Sequence, residues 1–234
     1  MIKAFYTATN GAISNKNYLD VISNNMANVQ TAGFKKSKPE FSDLIYTNIR
    51  GREGDNTELK SGSGSKINKS DIIFNQGTVY HTGVETDYAI LGEGFFGIQF
   101  EEENLFTRSG NFEITNIDGE RYLTYQGGYV LNNQEEPILI ENNDDIDNAE
   151  IGVFVFNNNS DLEQTGNNLF RVSNEDAEYN LAEVKVQRRY LEASNVEVSE
   201  EMVKLIQVQR AFQLNSTVIQ TADEIEQTIN SLRG

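Results

Sequence analysis

The sequence contains no cysteine and a single histidine, His81, among its 234 residues. Without cysteine the chain cannot form a disulfide, a thiolate metal site or a cysteine nucleophile. One histidine cannot build a histidine-rich metal site, and a lone histidine is more often an ordinary surface or core side chain than a catalyst. No arrangement of serine, histidine and aspartate suggests a nucleophile with a base. The sequence therefore predicts that the protein is not an enzyme and has no catalytic, cofactor-binding or metal-binding residues.

Long hydrophobic runs are also missing. No stretch approaches the roughly 20 apolar residues that a membrane helix requires, so we expect no membrane insertion. The first residues, "MIKAFYTATNGAISNKN", have neither an unbroken apolar region nor a small-residue cleavage site, and they do not resemble a cleaved secretory signal. If the protein leaves the cytoplasm, we expect an export pathway that recognises a signal other than a cleaved secretory peptide.

Basic residues are scarce in the middle of the chain, so the net charge of −17 is unevenly distributed. Residues 85–178 carry three Lys/Arg against twenty-one Asp/Glu, whereas residues 1–84 carry ten against seven and residues 179–234 carry six against eight. Such an acidic field disfavours nucleic acid and keeps the middle solvated. The two near-neutral ends are freer to meet other chains.

Heptad spacing of apolar residues marks both ends of the chain. The N-terminal pattern predicts a helix from about residue 3 to about residue 28, with Gly33 as its stop. Its rows are Phe5, Ala12, Leu19 and Met26, and Ala8, Ile22 and Val29. The C-terminal pattern has a first row at Val198, Leu205, Phe212 and Ile219, joined by Met202, Ala222, Ile229 and Leu232. It has a second row at Val203, Ile206, Leu214, Val218 and Ile225. Because two rows are wider than one partner helix needs, we expect further packing partners.

Between these helices the pattern changes to short segments that alternate with period two, which is typical of strands joined by hairpin turns. The sequence predicts an α+β fold, in which N- and C-terminal helices pair as a coiled-coil-like stem beside a central all-β domain. The expected parts are an N-terminal helix and turn (1–36), an extended connector (37–80), an acidic β-domain (81–178) and a linker with the C-terminal helix (179–234). The connector is rich in turn formers, including "SGSGS" at residues 61–65.

Two segments imitate ligand-binding motifs. The run "GEGFFG" at residues 92–97 matches the spacing of a dinucleotide loop, but "FGIQF" continues as a strand, where such a site needs a helix. We therefore expect Gly92 and Gly94 to form a tight turn or bulge that lets Phe95 and Phe96 enter the core. The acid-rich "ENNDDIDNAE" at residues 141–150 lacks the glycine and glutamate spacing of an EF-hand, which favours a solvated turn over a calcium loop.

Three segments resemble one known family. "LDVISNNMANVQTAGFKKSKPEF" (Leu19–Phe41) and "YLEASNVEVSEEMVKLIQVQRAFQLNSTVIQTADEIEQTI" (Tyr190–Ile229) are similar to the N- and C-terminal signatures of the flagellar basal-body rod and hook proteins. "DYAILGEGFFGIQF" with "LFTRSGNFEI" resembles the family's central β-domain. Within that family the chain is similar to distal- or proximal-rod subunits, and "DLIYTNIR" favours the distal type.

The resemblance implies a structural subunit of the bacterial flagellar basal-body rod, with terminal helices that polymerise into a hollow axial shaft. The expected partners are further copies of the chain, other rod and hook proteins, and the flagellar type III export apparatus. The expected location is the periplasm-spanning rod of the flagellum, reached without a cleaved signal peptide. A secreted, self-associating β-domain binding module with oligomerising helices is the alternative.

The amide side chains of the N-terminal signature are unusual in a helix, because they compete with its backbone hydrogen bonds. Buried amides are tolerated where partners satisfy them, so they can fix the register between helices. We expect Gly33 and the "TAGFKK" turn to direct the chain away from the stem; an Asn-rich capping loop is the simpler alternative. The predicted assembly and registry residues are Asn15, Leu19, Ile22, Asn24, Asn25, Met26, Asn28, Gly33, Phe34, Met202, Leu205, Gln209, Phe212, Asn215 and Ile219.

Overall fold

The computed structural model describes residues 2–49, 59–100, 103–141, 150–173, 179–181 and 184–233. Two long helices, α1 (Ile2–Ala27) and α2 (Val198–Arg233), lie near the ends of the chain. The strands within the described residues are β1 (Ser37–Asp43), β2 (Thr47–Ile49), β3 (Leu59–Ser61), β4 (Ser65–Ile72), β5 (Val79–His81), β6 (Tyr88–Leu91), β7 (Phe95–Phe100), β8 (Glu103–Thr107), β9 (Glu113–Ile117), β10 (Glu120–Tyr125), β11 (Gly128–Val130), β12 (Val153–Phe156), β13 (Leu162–Gly166), β14 (Leu169–Val172), β15 (Tyr179–Leu181), β16 (Lys185–Arg188) and β17 (Tyr190–Glu192). The predicted α+β class, with a helix at each end and strands between, is confirmed.

The chain divides into two compact units, each built from separated pieces of sequence. The helical unit comprises Met1–Ala27, Ser37–Ile73 and Glu197–Gly234, and the β-unit comprises Asn28–Lys36 and Phe74–Val196. These divisions differ from the expected parts, because the signature turn after α1 belongs with the β-unit and most of the expected connector belongs with the helices. Contacts with distant parts of the sequence decide both assignments.

The helical unit combines the helix pair with an antiparallel two-stranded sheet. β1 pairs with β4 from Ser37↔Ile72 to Asp43↔Ser65, with a register shift between Glu40 and Phe41. Tyr18 of α1 contacts Phe41 edge to face, with ring centroids 5.5 Å apart. The expected connector is therefore extended, but it is also paired and packed against a helix. β2 and β3 form a second, shorter ladder.

The β-unit contains a nine-stranded antiparallel sheet. Its main path runs β13-β14-β8-β7-β11-β10-β9, and β12 joins it by pairing with both β7 and β15. Alternation along β7 sends its side chains to opposite faces. Phe96 and Ile98 lie in the main core with Tyr88 and Leu123. Phe95 instead contacts aromatic rings on the other face, including Phe156, at 5.9 Å between centroids.

Two small ladders bring the C-terminal part of the β-unit back to its start. β16 pairs with β6, and β17 pairs with β5. The first ladder places Val186 opposite Ile90, and the second places Leu191 opposite Tyr80. Both are long-range pairings, so the β-unit is complete only when residues near 190 are in place. No helix in the described ranges is long and apolar enough to span a membrane.

Candidate functional site

The two helices pack against each other in the helical unit, and two contacts fix their register. A Cβ atom added at Gly11 of α1 would lie 2.9 Å from Nδ2 of Asn215 on α2, so the helices approach closely there. Fourteen residues further along α1, Nδ2 of Asn25 donates a hydrogen bond of 3.3 Å to Oε2 of Glu201. Since Glu201 precedes Asn215 by the same fourteen residues, the helices run antiparallel. Fourteen residues are two heptads, as expected of a coiled-coil-like pair.

The buried side of α2 differs from the predicted first row. Glu201 and Val208 are buried, and Asn215 and Ala222, at the next heptad steps, are half-buried. Of the predicted first row, Phe212 is exposed to 37%. Leu205 and Ile219 of that row are half-buried, so it borders the packed side of α2. Hydrophobic periodicity did not point to Glu201 or Asn215, because a polar residue adds nothing to an apolar pattern.

Asn25 is the centre of a buried polar cluster, with 1% of its surface exposed. Its Nδ2 donates to the carbonyl oxygen of Ser37, and its Oδ1 accepts from the amide of Ser37, both at 2.9 Å. Nδ2 also donates to Glu201, whose other carboxylate oxygen accepts from Nζ of Lys204 at 2.6 Å. This one amide therefore joins the end of α1, the start of β1 and the first turns of α2.

The pKa of Lys204 reflects the same cluster. Partial burial by itself lowers the pKa of this side chain, but the hydrogen bond and the charge of Glu201 outweigh it, so the pKa of Lys204 is raised above its ordinary value. Lys204 thus remains protonated at neutral pH and neutralises a carboxylate that is only 2% exposed. A paired and hydrogen-bonded buried carboxylate can be accommodated between helices, whereas an unpaired one is costly.

The structure brings some of the predicted registry residues together and leaves others at the surface. The registry hypothesis places Gln209 and Asn215 of α2 opposite the N-terminal asparagines. Asn25 instead meets Glu201 and Ser37. The buried members are Ile22, Asn25, Gly33 and Phe34, the half-buried members are Asn15, Leu19, Met26, Asn28, Leu205, Asn215 and Ile219, and the exposed members are Asn24, Met202, Gln209 and Phe212. Asn28 lies beyond α1, where its Oδ1 accepts a hydrogen bond from Oγ1 of Thr31 at 3.1 Å.

Gly33 occupies a tight position in the β-unit. Its φ of +67° lies in the left-handed region, and an added Cβ would lie 2.5 Å from the amide nitrogen of Ser109 and 2.6 Å from the carbonyl carbon of Arg108. Its own amide donates to the carbonyl oxygen of Glu192 at 2.7 Å. Phe34 beside it is 3% exposed. The signature turn is therefore part of the β-unit's interior, which is more than a stop for a helix.

A buried ion triad lies next to this turn, formed by Lys35, Arg108 and Glu192. Nζ of Lys35 is 2.5 Å from Oε1 of Glu192, and Nε of Arg108 is 2.6 Å from Oε2. The three side chains are 1%, 4% and 1% exposed, respectively. Lys35 also donates to the carbonyl oxygen of Asn75 at 2.9 Å, and the amide of Gly77 donates to Oε1 of Glu192 at 2.8 Å. The triad thus joins four separate segments of sequence.

The guanidinium of Arg108 also closes the "GEGFFG" turn. Its Nη2 donates to the carbonyl oxygens of Ile90 and Gly92, and its Nη1 donates to that of Gly94. Gly92 and Gly94 both have φ of +129°, and β7 begins directly after them. The glycines serve a turn whose carbonyls point inward at an arginine, and the following strand leaves no helix N-terminus for a pyrophosphate.

The charges of the triad oppose and support one another. Burial lowers the pKa of Lys35 below its ordinary value, and the positive charge of Arg108 adds to this effect. The charge and hydrogen bond of Glu192 act in the opposite direction without cancelling it. The carboxylate is therefore what makes two neighbouring cations tolerable inside the protein.

Within the described ranges no group of three or more His, Asp or Glu side chains is arranged to hold a metal ion. His81 contacts the ring of Tyr190, with centroids 5.0 Å apart. Most of the acid-rich segment considered as a calcium loop, residues 142–149, lies outside the described residues.

Sequence reasoning missed the triad because none of its members carries a local signal. Lys35 belongs to a lysine pair after a glycine, which is typical of a solvated turn. Glu192 stands in a polar run, and Arg108 follows a strand. The signal that could have found them is their position inside the three family-like segments, since each of those segments contributes one member.

Three family models match successive parts of the chain. Residues 5–35 match the model described as "Flagella basal body rod protein", residues 89–201 the "Flagellar hook protein FlgE/F/G D1 domain", and residues 187–232 the "Flagellar basal body rod FlgEFG protein C-terminal". A rod protein of Bacillus subtilis, "Flagellar basal-body rod protein FlgG", is 31% identical, and the alignment covers all of both chains. The chain belongs to the flagellar basal-body rod family.

Other members of the rod family show the same extent of similarity. The FlgG protein of Borreliella burgdorferi is 34% identical over all of this chain and 99% of its own length, and that of Caulobacter vibrioides is 32% identical over 99% and 100%. A "Flagellar hook protein FlgE" of Treponema pallidum is 34% identical, but over half of this chain and 26% of its own length. The predicted family resemblance is confirmed, and the matched signatures contain Asn25 and the whole triad.

Proposed function

We propose that this chain is a structural subunit of the flagellar basal-body rod and that it polymerises through α1 and α2. The observation that carries the proposal is the second row of α2. All five of its members, Val203, Ile206, Leu214, Val218 and Ile225, are exposed, to between 42% and 69%. Since α1 is already packed on the other side, this surface needs a partner outside the subunit.

The length of α2 supports the same proposal. With the register given by the two helix contacts, the N-terminal end of α1 reaches only to about residue 224 of α2. Ile225, Ile229 and Leu232 therefore continue past the partner helix, and they are 42%, 39% and 82% exposed. Burying the exposed parts of the second row and this overhang against further copies contributes on the order of 10 kcal/mol per subunit.

Registry within the polymer is the second part of the proposal. Asn25 sets the relation of α1 to α2, because shifting the helices by one turn would leave its amide and the carboxylate of Glu201 buried without each other. Asn24 and Gln209 are exposed on the two helices, where a neighbouring copy can meet them. Asn15, Asn28 and Asn215 complete the set as half-buried amides.

The proposed partners follow from the family and from the charge. They are further copies of the chain in a helical homopolymer, other rod proteins, and hook proteins, the class named in the Treponema pallidum relative. The flagellar export apparatus would deliver the chain to the periplasm-spanning rod. The acidic middle, in which Asp/Glu exceed Lys/Arg by eighteen, would disfavour nucleic acid as a partner.

A matched pair of charge insertions tests the polymer surface. Leu214→Glu places a carboxylate in the second row, whereas Gln220→Glu places one at another exposed position of the same helix. Electron microscopy of concentrated protein should show tubes for the wild type and for Gln220→Glu, and dispersed subunits for Leu214→Glu. Circular dichroism should show that both variants keep their helices.

The contrary outcomes are specific. Tubes of Leu214→Glu that match the wild type in number and diameter would refute polymerisation through the second row. Closed particles of fixed size in the wild type, without tubes at any concentration, would favour the alternative of a self-associating binding module.

A further inference from the structure

Both cations of the triad, Lys35 and Arg108, come before the acid, Glu192, in the sequence. Lys35 precedes Glu192 by 157 residues, and Arg108 precedes it by 84. The two cations sit in the signature turn and after β8, and the carboxylate that pairs with both of them is at the end of β17. A β-unit that closed around the first two members alone would hold two like charges in its interior.

The surroundings make that arrangement especially unfavourable. In the complete β-unit the side chains of Lys35 and Arg108 are 1% and 4% exposed, so water does not reach them to replace the charge of Glu192. The further partners of both cations are backbone carbonyls, which carry no full negative charge. Breaking a buried ion pair by removing one partner reduces the folded population by a factor of about 100 to 1,000 or more.

The complete triad has a different balance. A buried ion triad is often no more stabilising than apolar side chains of the same shape, because desolvation offsets the attraction between the charges. The charges therefore distinguish a β-unit that contains Glu192 from one that lacks it. It penalises the β-unit when Glu192 is absent and is nearly neutral when Glu192 is present.

We propose that the Lys35–Arg108–Glu192 triad is a folding checkpoint, which keeps the β-unit open until the C-terminal segment that carries Glu192 has docked. The backbone supports this role, since Glu192 also receives the amides of Gly33 and Gly77 and so closes the turn and the start of the domain in one step. The checkpoint does not depend on polymerisation. In a rod subunit it would delay folding of the β-unit until nearly the whole chain has been delivered.

The test is a reversal of sign in the full-length chain. Glu192→Gln removes the charge and keeps the shape, and we expect the folded population of the β-unit to fall at least 100-fold. Lys35→Met should be destabilising in the wild type, where it removes a partner of Glu192. In the Glu192→Gln background the same substitution should restore folding at least tenfold, because it removes an unpaired buried cation.

Hydrogen exchange of amides in β7 reports opening of the β-unit directly, and urea unfolding measures the equilibrium. Glu103→Gln is the matched control, since Glu103 pairs with Arg171 in the same unit but both side chains are about half exposed. It should change the equilibrium less than threefold. The proposal is overturned if Glu192→Gln stays within tenfold of the wild type. It is also overturned if Lys35→Met fails to improve folding of Glu192→Gln, because loss of packing alone would make the two substitutions add.

Discussion

Gly33→Ala is the substitution in which the structure and the local sequence pattern disagree most. As a simple helix stop, Gly33 would tolerate alanine at the cost of one left-handed residue, about 1–2 kcal/mol. In the structure its φ is +67° and the new Cβ would lie 2.5 Å from the amide nitrogen of Ser109. That neighbour is backbone, so it cannot rotate away, and overpacking adds about 1–3 kcal/mol. We expect a total loss of about 2–5 kcal/mol.

Gly119→Ala is the control for the left-handed conformation alone. Gly119 has φ of +92° between β9 and β10, and nothing lies within 4 Å of its added Cβ. Its loss should therefore stay at about 1–2 kcal/mol. The difference between the two variants isolates the close approach of the signature turn to the backbone at Ser109.

Urea unfolding followed by the near-ultraviolet circular dichroism of tyrosine suits this comparison, because the protein has no tryptophan and Tyr88 and Tyr125 are buried in the β-unit. With a slope of about 2 kcal/mol per M, Gly33→Ala should shift the midpoint by about 1–2.5 M. If it unfolds within about 0.5 kcal/mol of Gly119→Ala, the close contact in the turn does not exist and the placement of the signature in the β-unit interior is wrong.

Three further predictions concern the helix pair and the triad. Asn25→Leu should lower the free energy of unfolding by about 2–4 kcal/mol because it leaves buried polar partners unsatisfied. Asn24→Leu, at an exposed position, should change it by no more than about 0.5 kcal/mol, measured by urea unfolding at 222 nm, and equal effects would contradict the buried cluster. Gly11→Ala alone should add little stability. Combined with Asn215→Ala it should stabilise the protein by about 1 kcal/mol more than the sum of the two single effects, and a coupling of zero would refute the close helix contact. Burial lowers the pKa of Lys35 in the folded protein, so between that lowered pKa and 10.5 the unfolded chain binds this proton more readily. The stability of the wild type relative to Lys35→Met should therefore rise with pH up to 10.5, and a difference that falls with pH would contradict the direction of the shift.

The helical ends were predictable from local pattern. Heptad spacing located α1 within one residue at each end, and it identified Ala8 and Ile22 as inward-facing, because apolar side chains on one helical face must be buried somewhere. On α2 the same spacing picked out Leu205 and Ile219, which are half-buried, but not the polar positions beside them. Glu201 and Asn215 face inward there, and the reason is a specific partner on α1, which no count of apolar residues contains.

The β-domain was predictable as strands and turns but not as a unit. Period-two alternation depends on neighbours two residues apart, so β7 and its glycine turn could be anticipated. The pairings of β16 with β6 and of β17 with β5 join residues far apart in sequence. Nothing in a local window distinguishes such strands from a linker.

The sequence alone determined the fold class, the acidic middle, the two terminal helices and, through its three signatures, the family. Each of these depends on composition or on spacing within a few turns of chain. The tertiary structure alone decided that Lys35, Arg108 and Glu192 share one dry interior and that Gly33 abuts distant backbone. From the sequence alone a charged side chain is expected to be exposed to solvent. Only the long-range contacts of the β-unit bury and desolvate these three side chains.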